Sequence, residues 1–446
     1  MDFISAKNIL LAVGALLGTA LAIRGLVHPF VGVLVLMTLH FVQPGELVPA
    51  LAPLRLELLY GTSLLIASIL NKAAALTEVL KTNTIVRATL LLEGVILLTI
   101  PFAIWRGGAF EAAMNLVKMI ILQVLMTVFI NSQARLRTIL WLLSGFMSWY
   151  AASAFLAYSR GEFYMVNGVQ RAEGINSMVG GPNELAGLLL ALLPFLVALV
   201  RCTKGLLNKL ALASCGALAL FVLLLTGARI ALLALLAVII FAVLRSKHKV
   251  RNLITAAALT LIGWFLLPAQ YQQRYLTVGR YAQGGELDDS NKLRLAVWDA
   301  GWRMFLDHPI LGVGAGQFST AYGTVYSGKS HAAWMNPHNL FLQVTCELGL
   351  LGLCVFGYFV YQIWNANRWV LRKTNSSRFR VNHEFAVACY FMMVAVAVVS
   401  TVSHTLYRPY WYLLAGLVAA NSVSTSKTLR RNQALKAEPL PQETKS

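Results

Sequence analysis

Apolar runs long enough to cross a bilayer fill most of this chain, and one polar stretch, Leu267 to Leu351, interrupts them. That alternation constrains the fold more than any other feature. A hydrocarbon core satisfies no backbone polar group, so it admits only helices or closed barrels. The runs fall at residues 8–23, 29–44, 57–71, 85–105, 111–131, 138–157, 184–200, 210–226, 229–244, 253–268, 339–363, 385–403 and 410–424. With 58% hydrophobic and 12% charged residues, the chain is not an ordinary soluble globule. The expectation is an all-α, polytopic helical membrane protein.

A net charge of +19 would suggest nucleic acid as a partner in a soluble protein. Here the charges form short basic clusters between apolar runs, so the positive-inside rule is the better reading and no nucleic acid is expected. The clusters are Arg135 and Arg137; Arg201, Lys204 and Lys209; Arg245, Lys247, Lys249 and Arg251; Arg368, Arg372, Lys373, Arg378 and Arg380; and Lys427, Arg430 and Arg431. They place loops 158–183 and 269–338 outside and the C-terminus inside. The first two runs are broken by Arg24, His28 and Pro29, so one is expected to be incomplete. Counting back gives thirteen spans with the N-terminus outside; with one of the first pair incomplete, about 12 transmembrane helices with both ends inside is the expectation, and both counts stay open. The N-terminal run reads as a retained anchor. The divisions expected are N-terminal transmembrane helices 1–268, a large folded helical outer loop 269–338, C-terminal transmembrane helices 339–424 and a disordered tail 425–446. The five cysteines show no C-x-x-C pair or metal-ligand spacing, so neither structural disulfides nor a metal site is expected.

A polar loop of about 70 residues in a compact membrane protein is either disordered or functional. This one is not low in complexity. Asn291 to Leu306 has Leu295, Trp298, Trp302 and Phe305 at three- and four-residue spacing, which predicts an amphipathic helix. Asp307-His308-Pro309 stops it, and Gly312, Gly314 and Gly316 make a turn-rich exit.

Several residues on the outer face have the chemistry of a site, and each has a plainer explanation beside it. His338 follows Pro337 where the loop re-enters the membrane; a neutral imidazole there can take a proton from a hydroxyl, or it is merely a polar interface residue. Arg229 ends the turn Thr226-Gly227-Ala228; its planar fork suits a phosphate, or it snorkels to the headgroups. Arg294 shares a helix face with Trp298, and is either a ligand-binding or a solvated basic residue. Arg171 lies in the other outer loop, ahead of Asn183, whose side chain is a good helix N-cap. Glu93 and Lys118 sit within spans and are expected to pair with each other. Asp288-Asp289 is more simply a solvated pair than a metal site. Arginines suit an anionic leaving group such as pyrophosphate, the histidine suits an attacking hydroxyl, and the apolar body suits a lipid-tailed donor. Together they suggest transfer from a lipid-linked phosphate.

Five pieces of sequence resemble the O-antigen ligase and polymerase superfamily of bacterial surface-polysaccharide enzymes. They are Arg171-x-x-Gly174 through Pro182-Asn183-Glu184-Leu185-Ala186; Leu225-Thr226-Gly227-Ala228-Arg229; Arg294-x-x-x-Trp298; His308-Pro309-Ile310-Leu311-Gly312-Val313-Gly314; and Pro337-His338-Asn339 running into Glu347-Leu348-Gly349-Leu350-Leu351-Gly352. The resemblance covers residues 171 to 352, about half the chain; the N-terminal third carries no matching motif. It implies a membrane-embedded glycosyltransferase of the GT-C type in the bacterial inner membrane, facing the periplasm. The donor would be a glycan on undecaprenyl pyrophosphate, and no metal or other cofactor would be needed. By the resemblance, Arg229 and Arg294 hold the pyrophosphate, with Arg171 as a further partner. His338 is the base or orients the acceptor hydroxyl, and Asn183, Trp298 and Asn339 support them. For an O-antigen ligase the acceptor is lipid A-core and transfer inverts the anomeric centre. A polymerase or a protein O-oligosaccharyltransferase of the same superfamily stays open. A transporter would instead place charged or broken helices around a midplane cavity.

Overall fold

The computed structural model describes residues 17–166, 168–246, 248–282, 289–327 and 334–437. Among them the chain is almost entirely helical, as the apolar runs require. The helices are α1 (Leu17–Val27), α2 (Pro29–Val42), α3 (Pro44–Leu47), α4 (Leu56–Thr82), α5 (Thr84–Thr99), α6 (Arg106–Phe129), α7 (Gln133–Ser159), α8 (Pro182–Cys202), α9 (Leu206–Leu225) and α10 (Arg229–Arg245). They continue with α11 (Lys249–Leu266), α12 (Ala269–Ala282), α13 (Asp289–Asp307), α14 (Phe318–Ala321), α15 (Leu340–Lys373), α16 (Arg380–Ser400) and α17 (Pro409–Ala437). The strands described are β1 (Tyr164–Val166) and β2 (Val169–Arg171), an antiparallel hairpin between α7 and α8.

Eight described helices are long and apolar enough to cross a membrane. The other expected spans fall on the short apolar α1 and α2 and on α10, α11 and α17, while most of the first run lies outside the described residues. The tail differs from expectation at its start: α17 runs unbroken through Ala437, and only the last residues lie outside the description.

Helix α8 is the hub. Every residue from Leu185 to Leu192 is buried, and the helix packs most heavily on α16 and α7. Helix α6 packs on α17 and α15 on α5, closing the bundle. At the rim, α11 packs on α10, which buries only Ala231 and Ala234. Apolar side chains left outward on such helices suit lipid.

The two ends of the bundle differ in chemistry. At one end Arg137 donates to the Cys202 carbonyl at 3.1 Å, Arg380 to the Arg201 carbonyl at 2.5 Å, and Arg201 pairs with Glu384 at 3.2 Å. These are basic clusters of the sequence gathered on one face. The opposite end gathers loop 43–55, the hairpin, the turn 226–228, the long loop with α12–α14 and loop 401–408. Their links include Ser177 N to Glu46 Oε2 (2.6 Å), Ala172 N to the Leu225 carbonyl (3.0 Å) and Ile104 N to the Val313 carbonyl (3.2 Å).

Helix α15 is broken at Gly349 (φ 65°, ψ −163°), and the break has a partner. The carbonyls of Cys346 and Glu347 would ordinarily accept from Leu350 and Leu351. Instead they accept from Val313 N (2.8 Å) and Gly314 N (3.1 Å), while Leu350 N and Leu351 N donate to the carbonyls of Pro309 (2.8 Å) and Ile310 (3.3 Å). The Gly-rich segment is thus spliced into the helix ladder, and these four backbone groups at the break all have partners. Only glycine fits there. A Cβ on Gly349 would meet the Ile310 carbonyl at 2.2 Å and one on Gly312 the Cys346 carbonyl at 2.4 Å. The Glu347 carboxylate fixes the same segment, accepting from Gly316 N (3.0 Å) and Phe318 N (3.3 Å).

Two expectations are corrected here. The amphipathic helix exists, as α13, but its packed face is Val297, Ala300, Gly301 and Met304, with Leu295 and Trp302 exposed. Close approach to α15 explains the swap. A Cβ on Gly301 would meet Leu342 at 3.0 Å, and the Cys346 thiol donates to the Gly301 carbonyl, so the contact takes small residues. Nor does Lys118 pair with Glu93. Lys118 donates to Asn115 Oδ1 at 2.8 Å, and both carboxylate oxygens of Glu93 are buried without a hydrogen-bond partner among the described residues.

Candidate functional site

The site is built on two turns. The first is Thr226-Gly227-Ala228, between α9 and α10. Gly227 takes the left-handed conformation (φ 57°), and the Thr226 hydroxyl accepts from Ala228 N at 3.2 Å. The last carbonyls of α9 form the negative end of its dipole, and arginines from two other segments meet them. Arg171 Nε donates to the Thr226 carbonyl (2.6 Å) and Arg274 Nε, from α12, to the Gly227 carbonyl (2.8 Å). Arg171 is only 6% exposed, and its second nitrogen donates to Asn183 Oδ1 at 2.9 Å. Burial, with Arg274 beside it, pulls the Arg171 guanidinium down to about 10, still charged at neutral pH. Arg229 follows as the first residue of α10, half-buried.

Asn183 does not cap its helix. Helix α8 starts at Pro182 with Gly181 at the cap, a position that suits proline because the first-turn N–H has no helical acceptor. Asn183 instead faces Arg171, so the two motif residues are joined through space.

The second turn is Pro337-His338-Asn339. His338 is held in a left-handed conformation (φ 45°), a costly state for a residue with a Cβ. Its neighbours on both sides are tethered. The Trp298 indole N–H donates to the Pro337 carbonyl at 3.0 Å. Asn339 caps α15 through Oδ1 to Leu342 N (3.0 Å) and donates through Nδ2 to the Thr401 carbonyl (3.0 Å). Trp298 and Arg294 both come from α13, and Arg294 lies close enough to act electrostatically on His338. Burial first, then Arg294, pushes the His338 imidazole below its ordinary value, with Glu184 opposing. His338 is therefore neutral at pH 7 and able to accept a proton.

The geometry brings further residues to the site. His404 stands edge-on to His338 with ring centroids 5.4 Å apart. Burial, then His338 and Arg408, push His404 down to about 4, so it too is neutral. Glu184 acts on both Arg171 and His338 and so links the two turns. Arg274 and His404 carry no motif signal, because docking of α12 and of loop 401–408 brings them in. Asp288 and the stretch 328–333 lie outside the described residues.

Residues 214–357 match the family model described as O-antigen ligase. That segment holds Arg229, Arg294, His338 and the spliced Gly349, but not Arg171, Asn183 or His404. Curated relatives include the "Putative polysaccharide ligase" proteins of Rickettsia typhi and Rickettsia prowazekii, each 28% identical over 126 residues, 27% of this chain and 29% of the relative. That of Rickettsia felis is 29% identical over 126 residues, 26% of this chain and 28% of the relative. The alignment thus spans under a third of the length of these relatives. Residues 214–357 are therefore similar to the O-antigen ligase family, in agreement with the ordered motifs and the helical membrane scaffold, and the relatives that align carry polysaccharide ligase names.

Proposed function

We propose that the protein is an O-antigen ligase, transferring a glycan from undecaprenyl pyrophosphate to lipid A-core at the periplasmic face of the inner membrane. The observation that carries this reading is the setting of His338. A neutral imidazole is fixed by tethers on both sides and stands within electrostatic reach of Arg294. The acceptor hydroxyl oxygen attacks the anomeric carbon as the bond from that carbon to the pyrophosphate oxygen breaks. His338 takes the hydroxyl proton, and undecaprenyl pyrophosphate leaves as the anion. A single displacement inverts the anomeric centre.

Arg229 and Arg294 hold the pyrophosphate, and their positive charge answers the negative charge that grows on the leaving group without need of a metal. Arg171 contributes chiefly by fixing the turn ahead of Arg229, since its Nε and one terminal nitrogen are already engaged there. The basic end of the bundle faces the cytoplasm under the positive-inside rule, which puts both turns on the periplasmic side.

The test uses purified protein with a lipid-linked glycan and, in separate reactions, lipid A-core, a second lipid-linked repeat, or a serine-bearing acceptor protein. Transfer to lipid A-core alone is the expected result, and Arg229→Lys, which keeps charge but loses the bidentate fork, greatly reduces it. Transfer to the repeat or to protein instead replaces the ligase reading with polymerase or protein glycosylation. Full activity of Arg229→Lys overturns pyrophosphate recognition by that side chain.

A further inference from the structure

A cavity of about 750 Å³ opens at the same end of the bundle, outside the segment matched to the family. Its walls are the loop from Gln43 to Ala52, the start of α4 (Arg55 to Leu58) and one stripe of α6: Phe110, Glu111, Met114, Asn115 and Lys118. From Phe110 to Lys118 that stripe runs two helical turns, roughly 12 Å at 1.5 Å per residue.

The cavity has the marks of a built site. Non-glycine residues in the left-handed region are rare and cluster where function over-determines the backbone. Among the described residues they are Gln43, Arg55, Trp334 and His338, so two of the four line this cavity. Gln43 Oε1 is buried without a hydrogen-bond partner among the described residues. Glu57 is held by His40 at 2.7 Å, and the other ring nitrogen of His40, Nε2, is also buried without one. Lys118 lies twelve residues into a spanning helix, where an ammonium is costly; it donates to Asn115 Oδ1 at 2.8 Å and acts electrostatically on Glu57 across the same cavity. Leu39, Leu51, Leu56, Leu58, Phe110 and Met114 make the rest of the wall apolar.

We propose that this cavity binds an amphiphile with a phosphate-bearing, hydroxyl-rich head. Arg55 and Lys118 hold the phosphate, Gln43 Oε1 accepts from a head hydroxyl, and the apolar wall takes the start of an acyl chain. The cavity also touches the site. Its Glu46 accepts from Ser177 N and from the Ser177 hydroxyl, both at 2.6 Å, and Arg408 donates to the Ser177 carbonyl at 3.4 Å. Arg408 in turn acts on His404, the neighbour of His338.

Binding is read without turnover, so the inference stands apart from the transfer reaction. Purified protein in detergent is mixed with lipid A, with lipid A stripped of its phosphates, or with phosphatidylglycerol, and bound lipid is counted by native mass spectrometry. The wild type and His338→Ala are expected to retain the phosphorylated lipids at least tenfold better than the stripped one. Arg55→Gln with Lys118→Gln loses that preference, and Met114→Trp, which fills the cavity without changing charge, loses binding even if the charge variant folds poorly. Loss confined to lipid A assigns the cavity to the acceptor; loss of both lipids assigns it to bulk phospholipid. Either supports a phosphate-headed amphiphile. Retention unchanged in both variants, or no preference for phosphate in the wild type, overturns it.

Discussion

The Trp298 indole donates its one N–H to the carbonyl of Pro337 at 3.0 Å, so α13 grips the chain one residue before His338. The bond ties the amphipathic helix of the long loop to the turn at the head of α15. It also brings Arg294, one helical turn earlier on α13, to the same place. Trp298→Phe keeps the ring and removes the donor. A hydrogen bond of this kind contributes about 0.5–1.5 kcal/mol. Transfer is therefore expected to fall by up to roughly tenfold, with membrane insertion intact. Undiminished transfer would mean that the turn is held without α13.

The splice between residues 309–314 and α15 predicts which glycines are irreplaceable. Gly312→Ala and Gly349→Ala each place a Cβ within 2.4 Å of a backbone atom, on a backbone with positive φ. The conformation alone costs about 1–3 kcal/mol. Gly357→Ala, further along α15, meets nothing within 4 Å. Fluorescence-detected size exclusion is expected to show a monodisperse peak for the Gly357 variant and little folded protein for the other two. Folded, active Gly349→Ala would contradict the splice.

The electrostatics of His338 give a pH signature. Burial and Arg294 lower its pKa, so the neutral base persists below the ordinary imidazole value, and kcat/KM falls only as acid is added beyond it. Arg294→Gln removes a lowering influence, so the acid limb moves to higher pH. Glu184→Gln removes a raising one and moves the limb to lower pH. Limbs that stay put in both variants would show that His338 is not the titrating base.

Orientation is tested by labelling. In a cysteine-free background, Asp299→Cys on the exposed face of α13 is expected to react with an impermeant thiol reagent in intact spheroplasts. Ser376→Cys, at the basic end, reacts only after lysis. The reverse pattern inverts the protein in the membrane.

Much of this was legible in the sequence because it rests on local pattern. Apolar run length marks the spans, and the Leu295–Phe305 spacing marks α13. What failed depends on which neighbour arrives. The bulky residues of α13 face outward because Gly301 is the contact with α15. Asn183 serves Arg171 because the hairpin delivers that arginine to it. Glu347 reads as part of a motif, but its work, holding Gly316 and Phe318, is visible only once the loop is folded against the broken helix. His404 and Arg274 had no local signal at all. The motif pieces therefore divide: the glycines and Glu347 build the end of the bundle, while Arg229, Arg294 and His338 are the ones to which the proposal above gives chemistry.

Whether His338 takes the proton of the acceptor hydroxyl is decided by the rate of glycan transfer to lipid A-core by purified His338→Gln, with donor binding followed separately. Glutamine keeps a hydrogen-bonding side chain but takes up no proton at neutral pH. With His338 as the base, donor binding stays close to wild type and transfer falls by roughly 100- to 10,000-fold, the range usual for general base catalysis. Transfer near the wild-type rate by the glutamine variant would contradict that role and leave His338 a positioning residue.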